Sequence, residues 1–355
     1  MTPQQPSQDI KEFSLGELQA YFQSRHQPTF HAQQIFEWIY QKNVQGFEGM
    51  TNLSAKFKEE LKKDFSFFWP VLEKKKVSKD GTIKFLFKVG QSEYIETVFI
   101  PTQKRGTICL STQVGCKFGC TFCASGLNGF ARHLSCAEIL DQILFVKNFV
   151  RPQAVTHVVF MGVGEPFDNY DNVLKALYRI NAKEGLHIGA RRITVSTCGL
   201  IPEIKRFAKE EIQAELSVSL HASDDSLRSQ LMPVNHKYPL EDLLNCCRWY
   251  ARETNRQITF EYVLLKGLND HLKDAQELAR RLKGFLAKVN LIVYNRNDVS
   301  GFCPPSEEEI IAFEKELVQN GIPSTVRTSR GQDVDAACGQ LRFLNEGIAY
   351  GTKHA

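Results

Sequence analysis

The stretch TICLSTQVGCKFGCTFCASG, Thr107 to Gly126, starts as an apolar β-forming run and ends as a glycine-punctuated loop holding Cys116, Cys120 and Cys123, with Cys109 just upstream. The spacing C-x-x-x-C-x-x-C lets three thiolates converge on one centre while the backbone folds around it. Three ligands leave one position open. A structural zinc site closes with four ligands, and Cys109, Cys136 or His133 could supply the fourth here; an iron–sulfur cluster held by three cysteines instead keeps one iron for a substrate or cofactor. Both readings stand on spacing alone.

Outward from this stretch the chain repeats one rhythm. β-rich apolar runs recur in TICLST, THVVFMGVG, RRITVSTCG, AELSVSLHA, ITFEYVLLKG and VNLIVYN, and amphipathic helical stretches such as CAEILDQILFVKNF, YDNVLKALYRINAKE and LKDAQELARRLKG lie between them. Six βα units in a row predict an α/β fold, an incomplete parallel (β/α)6 barrel, with a doubly wound open sheet as the alternative. In such a fold chemistry gathers where strands end, so Gly162, Gly164, Glu165 and Pro166, Ser196 to Cys198, Ser219, His221 and Asn295 are the residues to inspect. The glycines of MGVGEP would let backbone approach a ligand closely, although such a strand end is also compatible with a plain turn.

Upstream, Phe13 to about Trp69 has apolar residues at helical spacing, with Ser14 and Ser54 as N-caps, predicting a small helical domain. After the basic run EKKKVSKDG, TIKFLFKV and EYIETVFI flank GQS and read as a β-hairpin. The expected organisation is a helical accessory domain over 1–78, a hairpin linker over 79–100, the barrel over 101–345 and a tail over 346–355.

The chain has 355 residues, enough for one large α/β unit with an appendage. The first residues lack a secretory pattern and no run approaches a membrane span, so a cytoplasmic protein without membrane association is expected. In a reducing compartment ten cysteines should be free thiols, ligands or catalytic groups. A net charge of +4 permits a nucleic-acid partner without requiring one.

Phe122, aromatic and immediately before the last cysteine of the loop, completes the pattern C-x-x-x-C-x-aromatic-C, which resembles the signature of the radical S-adenosylmethionine (SAM) enzymes. Cys109 in CLSTQVGC, Cys338 in VRTSRGQDVDAACGQL, and the pieces GFARHL, MGVGEP, VSTCG, SLHA, MPVN and EYVLLKGLND together resemble the RlmN and Cfr family of RNA adenine methyltransferases, from roughly Phe13 to Leu341.

The resemblance implies a radical SAM barrel, a [4Fe–4S] cluster on Cys116, Cys120 and Cys123, and two SAM molecules per turnover. It implies that one SAM methylates Cys338, that a second is cleaved to a 5′-deoxyadenosyl radical which takes a hydrogen atom from that methyl, and that the resulting methylene adds to the adenine. Cys109 then attacks the sulfur of Cys338, releasing the base and leaving a transient disulfide. Glu96 corresponds to a glutamate facing the target adenine, and Gly164, Glu165, Ser196, Ser219, His221 and Asn295 to positions lining the SAM pocket.

Implied partners are 23S ribosomal RNA at adenosine 2503, transfer RNA at adenosine 37 in some members, and an electron donor such as flavodoxin or ferredoxin, with the enzyme a monomer. Members methylate carbon 2 or carbon 8 of the same base; Pro166 after the glutamate matches the carbon-2 branch, where the Cfr branch usually has alanine. Lys104, Arg105, Arg191, Arg192, Arg327 and Arg330 are candidate phosphate contacts. Cys136, Cys198, Cys246, Cys247 and Cys303 read as packing residues. A zinc-stabilised, non-catalytic RNA-binding protein is the alternative of another class.

Overall fold

The computed structural model describes residues 8–90, 92–296 and 301–341. The expected tail over 346–355, residues 342–345 of the barrel expectation, and residues 297–300 lie outside them.

The N-terminal unit consists of a two-residue strand β1 (Gln8–Asp9), helices α1 (Leu15–Ser24), α2 (Phe30–Phe36) and α3 (Ala55–Asp64), and β2 (Phe65–Ser66), which pairs parallel with β1. Ser14 caps α1 by accepting from the Glu17 N–H while Glu17 reaches back to the Ser14 N–H, and Ser54 caps α3. Three antiparallel strands follow: β3 (Val71–Val77), β4 (Ile83–Val89) and β5 (Glu93–Pro101). The hairpin expected from the alternating segments is β4 and β5. The basic run EKKKV, which carries no alternation, is nevertheless a strand; β3 is an outer strand of the sheet, where its lysines stay in water.

The rest is βα repetition: β6 (Gly106–Cys109), a ribbon of β7 (Gln113–Gly115) and β8 (Phe130–His133), α4 (Cys136–Phe149), β9 (His157–Phe160), α5 (Tyr170–Asn181), β10 (Ile193–Thr197), α6 (Ile201–Phe207), β11 (Glu215–Ser219), α7 (Asp225–Leu231), α8 (Leu240–Thr254), β12 (Ile258–Leu264), α9 (Leu272–Leu282), β13 (Ala287–Val293), α10 (Glu307–Gln319) and β14 (Ser324–Arg327). The main sheet runs in chain order from β3 to β14, antiparallel as far as β6 and parallel from β6 onward. All six expected parallel strands are present.

A seventh, β14, adds to them. Its four residues STVR are only half-buried or exposed, so no apolar run announces it. By contrast β12, ITFEYVL, is buried along its whole length, as a central parallel strand covered on both faces must be. In α9 the buried Ala275, Leu278, Ala279 and Leu282 fall on one face, and Arg280 stays in water.

The N-terminal unit is clasped to α4. Asn43 donates to the Leu144 carbonyl at 2.7 Å, Lys147 to the Tyr40 carbonyl at 2.8 Å, and the fully buried Lys11 ammonium meets Asp141 at 3.3 Å and the Phe68 carbonyl at 2.7 Å. Among the described residues no helix is long and apolar enough to cross a membrane.

Candidate active site

The C-terminal ends of the parallel strands converge on one solvent-open cavity of about 990 Å³. Cys116, Cys120 and Cys123 line it from one side. Their loop is closed by the β7–β8 ribbon, with the Cys116 N–H donating to the Gly129 carbonyl at 2.9 Å. Gly115 has φ +74°, and a Cβ there would lie 1.9 Å from the Gly129 oxygen, so only glycine fits the turn into the loop.

The three thiols suit a cluster better than a lone ion. A structural zinc ion closes with four ligands at about 2.3 Å, and this loop brings three cysteines to the cavity, which leaves one position for another group. A multi-iron cluster gives each cysteine its own iron, and three facing thiols around a shared hollow are the donor set it needs. Burial pushes the Cys116 thiol up to about 12, against a hydrogen bond from the Phe118 backbone and with Cys123 adding, so a bound metal cation is what would hold this sulfur as a thiolate.

The opposite wall holds Gly164, Glu165, Ser196, Ser219, His221 and Asn295, all of which line the same cavity. Gly162 sits so close to Leu110 that a Cβ would lie 2.6 Å from its backbone, which brings the end of β9 onto the chain leaving β6. The Glu165 carboxylate is already engaged: Oε1 accepts from the Phe167 N–H at 3.0 Å and Oε2 from the Cys198 N–H at 2.7 Å. It ties the ends of β9 and β10 together. His221 accepts from the Val263 N–H on Nδ1 at 3.0 Å and packs edge-on to Phe122. Burial, with Arg228 adding, lowers its pKa to about 3, so the ring is neutral and its proton is on Nε2.

Arg228, unremarked in the sequence reading, organises this wall. It is fully buried and donates to the carbonyls of Cys198 at 2.9 Å, Ser219 at 3.2 Å and Leu220 at 3.3 Å and to Asn235 Oδ1 at 2.6 Å. One guanidinium thereby fixes the two strand ends that present Ser196, Cys198, Ser219 and His221. Cys198, read as packing, lines the cavity, as does the buried Glu261 of β12.

Cys338 lines the same cavity, and its loop is held on two sides. The Ala124 N–H donates to the Gly339 carbonyl at 2.8 Å, and Asn295 Nδ2 to the Cys338 carbonyl at 3.3 Å. Cys109 lies behind it in a small apolar cluster with Val98, Val163, Val334, Ala336 and Leu341, three of which belong to the Cys338 segment. Both thiols are free. Burial pushes Cys109 up to about 12, the neighbouring Cys338 adds to this and Arg327 opposes it.

Arg327 thereby departs from expectation. Read as a candidate phosphate contact, it closes β14 and lines the cavity beside Cys338, whose thiol is the largest cause of its raised pKa. Lys104, Arg105, Arg191, Arg192 and Arg330 are exposed.

Glu96 is buried on β5, not exposed, with Oε1 2.9 Å from Lys84 Nζ. It lines a second, smaller cavity that shares Ser125 with the first.

Residues 8–66 match the model for the ribosomal RNA large subunit methyltransferase N-terminal domain, and residues 110–280 that of the radical SAM superfamily. The chain is 44% identical over 335 residues to the probable dual-specificity RNA methyltransferase RlmN of Clostridium novyi, covering 94% of this chain and 97% of that one. It belongs to the RlmN family of radical SAM methyltransferases. The RlmN of Staphylococcus aureus is 45% identical over 342 residues, covering 96% of this chain and 94% of its own. A radical SAM methyltransferase from Sphaerobacter thermophilus superposes with a TM-score of 0.91 at 42% identity, covering 94% of this chain and 99% of that one. Membership in the RlmN family makes the chain an enzyme and implies a [4Fe–4S] cluster and SAM, which sets the zinc-only alternative aside.

Proposed function

We propose that this chain methylates carbon 2 of adenosine 2503 in 23S ribosomal RNA and of adenosine 37 in transfer RNA, consuming two SAM molecules per turnover, through a methylated Cys338 and a transient disulfide with Cys109. The observation that carries the reading is the position of Cys338: it faces the hollow framed by Cys116, Cys120 and Cys123, while Cys109 packs against its own segment. The dual-specificity name of the relatives supports two classes of RNA, and Pro166 supports carbon 2 over carbon 8.

Carbon 2 of adenine bears no acidic proton, so polar methyl transfer has no nucleophile to use. When bound, the cluster and SAM supply one-electron cleavage and hydrogen abstraction from an unactivated methyl group. The protein's own residues do the rest. Cys338 takes a methyl group by displacement, since a thiolate is a strong nucleophile towards a sulfonium carbon, and carries the one-carbon unit onto the base. Glu96 accepts the proton that the adduct must lose, while the adduct's unpaired electron passes to a one-electron acceptor, a role the oxidised iron–sulfur cluster would fill when present. Cys109 attacks Cys338 Sγ, the sulfur–carbon bond breaks with its electron pair going to the methylene carbon, which takes a proton to become the methyl group, and a cellular reductant reopens the disulfide, with flavodoxin or ferredoxin as the separate electron donor for SAM cleavage. Gly164, Ser196, Ser219, His221 and Asn295 shape the SAM pocket, with Glu165 holding its wall.

The test is to give anaerobically reconstituted protein, with SAM and reductant, ribosomal and transfer RNA and to analyse the digested nucleosides by chromatography and mass spectrometry. 2-Methyladenosine is expected. 8-Methyladenosine, or methylated RNA with Cys338 never modified, would refute the assignment.

A further inference from the structure

We infer that Lys84 is a positioning residue that holds the Glu96 carboxylate ionised and ties it to the loop carrying Cys338; this rests on the roles proposed above for those two residues. Lys84 lies on β4 opposite Val98, and Glu96 on β5 opposite Leu86, so the two are diagonal neighbours on one face of the antiparallel pair. Both side chains are nearly sealed from water, at 10% and 5% exposure. Lys84 Nζ meets Glu96 Oε1 at 2.9 Å and donates to the Asp335 carbonyl at 2.9 Å. Asp335 precedes Cys338 by three residues, so one ammonium group touches both the proton acceptor and the methyl carrier's loop.

Burial alone would push a carboxyl group towards its neutral form, which cannot accept a proton; a cation in contact opposes that. Charged or titratable groups nearby include the Asp335 carboxylate, which faces Lys76 at 3.4 Å, and Tyr94 on the wall of the Glu96 cavity. The loop does not depend on Lys84 for its path. Asp333 accepts from Ser78 Oγ at 2.5 Å and the Lys79 N–H at 3.1 Å, and Asp80 accepts from the Gly331 N–H at 3.0 Å. Removing the ammonium therefore leaves the loop anchored, and what is lost is charge and alignment.

Three variants of the full-length reconstituted enzyme test this: Lys84→Gln, which keeps a donor without charge, Lys84→Arg, which keeps both, and Glu96→Gln. Readouts are cluster absorbance, Cys338 methylation by peptide mass spectrometry, and single-turnover RNA methylation against pH. Lys84→Gln should keep the cluster and Cys338 methylation within about twofold, slow RNA methylation about tenfold near neutral pH, and move the acid limb of its pH profile up by about one unit. Lys84→Arg should restore the limb. An unshifted limb in Lys84→Gln, or loss of cluster and Cys338 methylation in that variant, overturns the role of Lys84. Full RNA methylation by Glu96→Gln would instead overturn the reading of Glu96 on which it rests.

Discussion

The Asn295 side chain donates to the backbone carbonyl of Cys338 at 3.3 Å. A residue that lines the main cavity just after β13 therefore also tethers the loop that carries Cys338. Asn295 Oδ1 accepts from Gln332 Nε2 at 2.7 Å, so this one side chain grips the segment that carries Cys338 at two points.

Gln332→Ala should reproduce part of the defect of Asn295→Ala. Gln332 is not on the cavity wall, so its loss should leave SAM affinity unchanged while slowing Cys338 methylation about fivefold, the worth of one hydrogen bond of about 1 kcal/mol. Equilibrium SAM binding and peptide mass spectrometry separate the two. A Gln332→Ala enzyme with weakened SAM binding and normal Cys338 methylation would contradict the tether.

The paired thiols predict opposite phenotypes. Cys338→Ala should abolish RNA methylation outright, because the acceptor of the first methyl is gone. Cys109→Ala should leave RNA covalently attached, visible as a slow-migrating, nuclease-sensitive band on a denaturing gel. Free turnover by either variant would remove its assigned role.

Release of the RNA should accelerate with pH. Burial holds the Cys109 thiol near 12, so at neutral pH the thiolate is a trace species, and its fraction rises about tenfold per unit until pH reaches that pKa. Disulfide formation from an accumulated adduct, followed by quenched-flow gel analysis, should show that slope. Arg327 opposes the upward shift of Cys109, so Arg327→Met should lower the rate at every pH below the plateau. A rate independent of pH between about 7 and 10 would sink this account.

Arg228→Met should be destabilising by about 1–3 kcal/mol, since it strips buried carbonyls of a charged donor and leaves them unpaired. Urea denaturation should show a lowered midpoint. Iron content after reconstitution should also fall, because the wall formed by the ends of β10 and β11 faces the cysteine loop.

How far the site is legible in the sequence depends on what each residue needs in order to be seen. Cys116, Cys120 and Cys123 are close in sequence, so local spacing exposes them. Ser219 and His221 stand out because the first ends a buried strand and the second follows it by two residues. Arg228 looks like any arginine in a polar helix, since the carbonyls it satisfies belong to distant loops. Arg327 reads as a candidate phosphate contact because β14 is too short and too polar to be recognised as a strand, and the strand is what turns its last residue inward. Lys84 reads as the polar half of an alternating hairpin; only the packing of the Cys338 loop over that face makes it a buried cation.

Periodicity over successive βα units set the layered architecture, and a few tightly spaced cysteines marked where chemistry occurs, because both signals are local in the chain and survive without knowledge of the fold. The approach of Cys109 to Cys338, of both to Arg327, and of Cys338 to Asn295 was decided by tertiary structure. Those residues are separated by up to 229 positions, from Cys109 to Cys338, and no local propensity encodes such a contact. It arises because parallel strands bring their C-terminal ends to one rim, and the final segment is drawn across that rim by hydrogen bonds to the β3–β4 turn, the cysteine loop and Asn295.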